Sequence, residues 1–232
     1  MRSSSYIARR GQLEAYFDRT AVEAWARLTS DAPVSRVRAT VRAGRDAMRR
    51  TILDWLPDDL RGARVLDAGC GTGALAVELA RRGGDVIAVD LSPNLISLAR
   101  DRAPAASGPG RVTFSSGDML DPTLGRFDYA VAMDSLIHYR ADDMAEAVAR
   151  LGTRVDRAII FTFAPWTPAL ALMHASGKLF PRGERSPAIA PVGVSAIAKR
   201  LRRQPPLAAW RLGRSQRIGS GFYISQAQEV VR

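Results

Sequence analysis

The chain lacks several features that would assign it to other classes of protein. It has one cysteine, Cys70, in 232 residues, so it cannot form an internal disulfide, which fits a reducing compartment. No apolar run approaches the roughly 18 residues that a membrane-spanning helix needs. Residues 1–12 contain arginines but no apolar core of a secretory signal. We therefore expect a cytoplasmic protein.

Lysine and histidine are also scarce, with two residues of each type, so the net charge of +11 comes almost entirely from arginine. Such a charge is compatible with nucleic acid, an anionic membrane surface or a carboxylate-bearing small molecule as partner. The abundance of arginine and alanine is equally typical of a high-GC genome. Because the basic residues are scattered and few aromatic residues lie between them, we expect no nucleic-acid partner.

Two helical segments precede the first clear strand. Apolar residues recur at helical spacing over residues 13–28, and again from Ser35 to Leu56, where Pro57 ends the pattern. We expect residues 1–57 to form a helical cap over whatever the rest of the chain binds.

Residues 58–165 alternate short apolar strands with helices, and Ser92 followed by Pro93 predicts a helix start. This alternation predicts an α/β domain over residues 58–232, with a mostly parallel sheet covered by helices on both faces. After Pro165 the pattern becomes irregular, and we expect residues 166–192 to form a substrate-binding insertion that starts with an apolar helix. A basic helix and an antiparallel strand pair should follow.

The strongest motif is the glycine-rich turn at residues 65–73, Val-Leu-Asp-Ala-Gly-Cys-Gly-Thr-Gly. Glycines at alternate positions allow a sharp turn and close approach of a nucleotide-like ligand between a strand and a helix. A nicotinamide site would have G-x-G-x-x-G facing a pyrophosphate, but here Asp67 directly precedes the turn. Its carboxylate would repel a pyrophosphate and would favour the sulfonium and amino-acid end of S-adenosylmethionine.

Three more acids end the next three strands. Asp90 ends the second strand, where an acid can accept both hydroxyls of a ribose. Asp118 ends the third strand and is positioned to accept an adenine amino group, with Met119 as an apolar neighbour of the ring. Asp134 ends the fourth strand near the expected methyl donor. Each acid alone is also typical of the start of a loop.

Residues 60–165 resemble class I S-adenosylmethionine-dependent methyltransferases. The resemblance implies a Rossmann-like fold with a seven-stranded sheet and an N-terminal helical lid. It assigns Gly69, Gly71 and Gly73 to the amino-acid end of the donor, Asp90 to the ribose and Asp118 to the adenine. With the residues argued above and their neighbours, the full set of predicted donor-binding residues is Asp67, Gly69, Gly71, Gly73, Asp90, Leu91, Asp118, Met119, Asp134 and Ser135.

Most of the chain is similar to magnesium-protoporphyrin IX O-methyltransferases, in particular to their purple-bacterial branch. The matching segments are residues 16–20 with Trp25, 41–45, 134–139, 177–181 and 221–225. The resemblance implies methyl transfer from S-adenosylmethionine to a propionate carboxylate of magnesium-protoporphyrin IX, in bacteriochlorophyll biosynthesis.

The same resemblance supports His138 and Tyr16 as catalytic residues. An imidazole just after the fourth strand would orient the attacking carboxylate, and a tyrosine hydroxyl would close over the methyl group; the alternatives are a packing histidine and a helix aromatic that packs under the cap. Cys70 fits a small packing residue. No metal-site spacing is visible, so we expect no protein-bound metal and a magnesium ion that arrives inside the substrate.

The acceptor pocket is less well defined by the sequence. Lys178, Phe180 and Arg182 are candidates for contacting the macrocycle and its propionates, with an ordinary helix and a solvated basic loop as the alternative. The basic segment 195–203 suggests peripheral contact with an anionic membrane.

Two other functions stay open. One is methyl transfer to another small molecule, such as a quinone precursor, and the other is a non-catalytic donor-binding partner of magnesium chelatase.

Overall fold

The computed structural model describes residues 4–19, 35–104, 108–166 and 189–232. Within these ranges the chain forms six α-helices and seven strands. The helices are α1 (Ser4–Arg19), α2 (Arg36–Asp54), α3 (Ala74–Arg81), α4 (Pro93–Arg102), α5 (Ala141–Gly152) and α6 (Val194–Arg202). The strands are β1 (Arg64–Ala68), β2 (Asp85–Asp90), β3 (Arg111–Ser116), β4 (Phe127–Ala132), β5 (Val155–Phe163), β6 (Arg211–Ser220) and β7 (Tyr223–Val231).

The strands form one sheet in the order β3-β2-β1-β4-β5-β7-β6. The first five strands run parallel, whereas β7 pairs antiparallel with both β5 and β6. This confirms the predicted parallel sheet with a terminal antiparallel pair. The strand order reverses between β1 and β4, and open α/β sheets bind ligands outside the carboxyl ends of the strands at such a reversal.

Successive residues of a strand point to opposite faces of the sheet. Here both faces are apolar, and helices cover each of them. In β1, Val65 packs into a core cluster with α2, α3 and α4, whereas Leu66 packs into another with α1, α5 and α6. Both residues have no exposed surface. The two cores hold β1 and β4 rigidly, and the loops that follow these strands are therefore well positioned to build a site.

The starts of two helices are set by serine side chains. Ser92 Oγ accepts the Leu95 N–H at 3.2 Å, and Pro93 is the first residue of α4, as the sequence predicts. Ser35 Oγ accepts the Arg38 N–H at 3.4 Å at the start of α2. Each oxygen satisfies a backbone donor that has no partner within the helix.

The start of the first helix was predicted wrongly. The apolar spacing indicated a helix from Leu13, but α1 begins at Ser4. Tyr6 and Leu13 lie two helical turns apart and are each only 3% exposed, so the buried face extends further towards the N-terminus than the aliphatic residues alone suggest. The second half of the predicted segment lies outside the described residues.

The last helix before the strand pair is amphipathic, as predicted, but its apolar side is already used. Ile197 and Leu201 of α6 are buried in the core cluster that contains α5. Only its basic side, with Lys199, Arg200 and Arg202 in the last turn, is available for a surface contact. Among the described residues, no helix combines the length and the apolar character that crossing a bilayer requires.

Candidate active site

A cavity of about 280 Å³ opens at the carboxyl ends of β1, β2 and β4. One wall is the glycine-rich turn with the two acids that end β1 and β2, and a second wall is one face of α2. A third wall combines α1 with the segment that follows β4. The predicted ligand site and the observed cavity therefore coincide at the reversal of strand order.

The glycine-rich turn requires glycine at its first position. Gly69 has a φ of +86°, and a Cβ built there would lie 2.3 Å from the Cβ of Ser135. Gly71 also has a positive φ, of +54°, but a Cβ there would meet nothing within 4 Å. Gly73 lies outside the cavity lining, and its Cβ would meet the Phe114 ring at 2.7 Å. Gly73 therefore allows α3 to pack against β3, and Gly69 and Gly71 border the cavity.

Asp67 is the most unusual charged group in this wall. It is 1% exposed and lines the cavity, and its Oδ2 accepts no hydrogen bond from the part of the chain that the structure describes. Burial raises the pKa of Asp67 to about 7, the negative charge of Asp90 adds to this rise, and the Ala76 backbone N–H offsets part of it. A buried carboxylate oxygen without a donor fits a cationic ligand, as the sulfonium end of S-adenosylmethionine would be.

Asp90 ends β2 and also lines the cavity. Its Oδ2 accepts the Gly71 N–H at 2.9 Å, and its Oδ1 accepts the Ser92 N–H at 3.0 Å. Burial raises the pKa of this carboxyl, and the N–H groups of Ser92, Gly71 and Leu91 partly counteract the rise. The carboxylate thus joins the glycine turn to the loop after β2. Leu91, in that loop, also lines the cavity.

The segment after β4 carries Asp134 in a left-handed conformation, with a φ of +53°. Its Oδ2 accepts Arg45 Nη1 at 2.6 Å, and its Oδ1 accepts the Tyr223 hydroxyl at 3.0 Å. Ser135 Oγ donates to the Ala68 carbonyl at 2.7 Å, which holds this segment against the end of β1. Both residues line the cavity, and Asp134 links α2 to β7 through Arg45 and Tyr223.

Asp118 and Met119, which follow β3, differ in position. Met119 lines the cavity, whereas Asp118 does not. The Asp118 carboxylate accepts the Tyr6 hydroxyl at 2.9 Å, Arg10 Nη1 at 3.1 Å and the Leu120 N–H at 2.9 Å. Asp118 therefore binds α1 to the sheet, a contact that was not predicted from the sequence.

His138 is 6% exposed and lies at the end of a 3₁₀ turn, Leu136–His138, within the cavity lining. Its ring centroid is 5.6 Å from that of Phe17, and its carbonyl accepts Arg9 Nε at 2.8 Å. Tyr16 lies outside the lining and contacts the Phe17 ring edge-on at 5.2 Å. The structure thus brings His138 and Phe17 to the cavity and places Tyr16 behind Phe17.

Most of the wall that α2 provides was not predicted from the sequence. Arg42, Arg45, Asp46 and Arg49 all line the cavity. Their helical spacing could have shown that they share one face, and two of them belong to the matching segment 41–45, but neither pattern indicates which way that face points.

Several sequence predictions lie outside the described residues. Lys178, Phe180 and Arg182 belong to this group, together with most of the segment 166–192. Within the described ranges, no group of three or more histidine, cysteine, aspartate or glutamate side chains could hold a metal ion. Cys70 belongs to the cavity lining, and burial raises the pKa of its thiol well above the usual value, which suits a packing residue.

Comparison with known proteins decides the family. Residues 65–156 match a model of the methyltransferase domain, and residues 132–232 match a model described as the C-terminus of magnesium-protoporphyrin IX methyltransferase. A magnesium-protoporphyrin O-methyltransferase from Rhodobacter capsulatus is 52% identical over 227 residues, which cover 97% of this chain and 98% of the relative.

The chain belongs to the magnesium-protoporphyrin O-methyltransferase family. A second member, from Synechocystis, is 30% identical over 94% of each chain. The crystal structure of magnesium protoporphyrin IX methyltransferase from Synechocystis PCC 6803 with bound SAH superimposes with a TM-score of 0.84, at 29% identity, over 96% of this chain and 99% of that one. The family assignment confirms the predicted class I methyltransferase fold, with S-adenosylmethionine as co-substrate.

Proposed function

We propose that this protein transfers the methyl group of S-adenosylmethionine to a propionate carboxylate of magnesium-protoporphyrin IX, giving the monomethyl ester in bacteriochlorophyll biosynthesis. The observation that carries the proposal is the 52% identity to a named enzyme of this activity over nearly the whole chain. That identity extends beyond the donor-binding turn to α1, α2 and the C-terminal strands, which are the parts that would set the choice of acceptor.

The donor would be held by the wall that contains the glycine-rich turn. Gly69 and Gly71 would allow its amino-acid end to approach the backbone, and the orphaned oxygen of Asp67 would face its positive charge. Asp90 would accept the ribose hydroxyls, and Leu91 and Met119 would contact the adenine ring. An adenine amino group bound to Asp118 would share that carboxylate with Tyr6 and Arg10.

When bound, S-adenosylmethionine supplies a methyl group on a sulfonium sulfur, and the acceptor oxygen bonds to that methyl as the sulfur–carbon bond breaks. The acceptor carboxylate is ionised at neutral pH, with an ordinary pKa of roughly 4 to 5, so the protein needs no strong base. Its residues would act by alignment and by exclusion of water. His138 lies on the wall nearest the end of β4 and would orient the attacking oxygen.

Residues 1–57 complete this proposal as a cap. The polar contacts from α1 reach Asp118, Ser92, Asn94 and the His138 carbonyl, and Leu13 and Phe17 line the cavity. Such a helix would exclude water from the reacting groups. Tyr16, which the family resemblance assigns to catalysis, would act from behind Phe17 or after a movement of α1.

The direct test is transfer of labelled methyl from S-adenosylmethionine to magnesium-protoporphyrin IX, with metal-free protoporphyrin and a quinone precursor as comparison acceptors. We expect ester formation with the magnesium porphyrin. Methyl transfer to the quinone precursor alone would contradict the proposal, and donor binding without any transfer would favour a non-catalytic role.

Two partners form a further part of the proposal. Magnesium chelatase would deliver the substrate, and pull-down of the purified chelatase subunits would test this contact.

Membrane contact would be electrostatic, since the apolar side of α6 is buried. Flotation with anionic but not neutral vesicles, lost in the charge-removing variant K199Q/R200Q/R202Q, would support that contact.

A further inference from the structure

Three arginines form a row along the cavity side of α2. Arg42, Arg45 and Arg49 are spaced by three and four residues, which places them on one face of the helix, and all three line the cavity. We call them the arginine face. Arg50, one position further, is exposed and lies outside the lining.

The adjoining side of α2 holds this face in place. Met48 and Ile52 are fully buried in the core, and a Cβ on Gly44 would lie 2.5 Å from the Tyr223 ring, so the helix lies directly on β7. The Tyr223 hydroxyl in turn donates to Asp134, which accepts Arg45. The position of the arginine face is thus coupled to β4 and β7.

The charges of the cavity are divided between its walls. Asp67 and Asp90 lie on the wall with the glycine-rich turn, where a cationic donor is favoured. The arginine face brings three guanidinium groups to the α2 wall, and within the described part of the chain the carboxylates that line this wall are Asp46 and Asp134. Because a guanidinium has five N–H donors, it can serve two carboxylates at once. This wall therefore favours an anionic ligand.

We propose that the arginine face binds the acceptor carboxylate that is not methylated. The inference rests on the proposed function, because magnesium-protoporphyrin IX carries two propionates. A carboxylate held tightly by guanidinium groups is a weaker nucleophile, so the arginine face is better suited to the non-reacting propionate. The reacting propionate would lie towards His138. The arginine face thereby fixes which propionate reaches the methyl group.

The test combines a change in the protein with a change in the acceptor. The variants are Arg42→Gln and Arg49→Gln, singly and together, with Arg50→Gln as the matched control on the same helix. The acceptors are the magnesium porphyrin dipropionate and an analogue in which an alkyl group replaces the propionate that is not methylated. For each pair we would measure KM, kcat and the donor Kd.

With the dipropionate we expect each single variant to raise KM about tenfold, the usual loss for a charge-assisted hydrogen bond, with the donor Kd within twofold of the wild type. With the monopropionate analogue the same variants should change KM by less than about twofold, because the group they bind is missing. Arg50→Gln should match the wild type with both acceptors.

Three outcomes would overturn the inference. An equal rise in KM with both acceptors would place the arginines on the reacting carboxylate, and a weaker donor Kd would assign them to the carboxylate of the donor. An unchanged KM would remove them from acceptor binding altogether. If the wild type forms no ester from the dipropionate, the proposed function fails instead, and the two failures are therefore distinguishable.

Discussion

The two main walls of the cavity hold their ligands by different means. The donor wall consists of backbone at positive φ and of short acids anchored by backbone N–H groups, as Asp90 is by Gly71 and Ser92. The α2 wall consists of long arginine side chains on a helix. The donor wall therefore tolerates almost no change in shape, whereas the α2 wall can adjust to its ligand and depends mainly on charge.

The largest difference should appear when a methyl group is added to the donor wall. Gly69→Ala combines a left-handed backbone with a Cβ that would lie 2.3 Å from that of Ser135, so we expect donor affinity to fall by more than about 100-fold. Gly71→Ala has the same backbone problem without the clash and should lose less. Calorimetric titration with S-adenosylmethionine measures both.

Gly219→Ala controls for the loss of a glycine as such, because a Cβ there meets nothing within 4 Å and its φ is ordinary. Thermal unfolding should show that Gly71→Ala is folded. Donor affinity near the wild-type value in both turn variants would remove the turn from donor binding.

Asp90→Asn keeps the size of the side chain, removes its charge and replaces one of the two oxygens that accept the Gly71 and Ser92 N–H groups by an amide nitrogen, which cannot accept. We expect the donor Kd to rise about 30-fold, since hydrogen bonds to charged groups contribute roughly 1.5–3 kcal/mol. Asp85→Asn is the matched control, because Asp85 begins the same strand and pairs with Arg111 on the surface. If both variants bind the donor equally well, Asp90 has no part in ribose recognition.

His138→Asn tests whether the imidazole orients the attacking oxygen of the acceptor towards the donor. We expect kcat to fall about tenfold with the donor Kd within twofold, because an orienting group acts on alignment rather than on donor binding. Single-turnover measurements at saturating donor and acceptor separate the chemical step from product release. A full rate of the chemical step would exclude His138 from the mechanism.

The two walls also differ in how far the sequence predicts them. The turn, Asp67 and Asp90 lie within 25 residues of one another on adjacent βα units, so local spacing fixes their arrangement, and the sheet order follows from the alternation of strands and helices. The arginine face depends on how α2 rotates against β7, a contact over nearly 180 residues that is set by Gly44 and Tyr223. The spacing of residues within α2 does not determine how the helix is rotated against β7. The role of Asp118 was incompletely predicted for the same reason, since Tyr6 and Arg10 reach it from the distant helix α1.

The smallest expected effect concerns pH and the donor wall. The raised pKa of Asp67, about 7, means that this carboxyl is mostly protonated at pH 6 and mostly ionised at pH 8. A cationic donor binds the ionised form, so lowering the pH from 8 to 6 should weaken S-adenosylmethionine binding, by at most about tenfold.

Adenosine, which lacks the sulfonium and the amino-acid end, should show little of this dependence, and neither should S-adenosylmethionine with Asp67→Asn. This variant also separates the contribution of Asp67 from that of His138, whose imidazole lies in the same lining. A dependence that persists in Asp67→Asn would assign the titration elsewhere, and the cation-selective character of the donor wall would then rest on Asp90 alone.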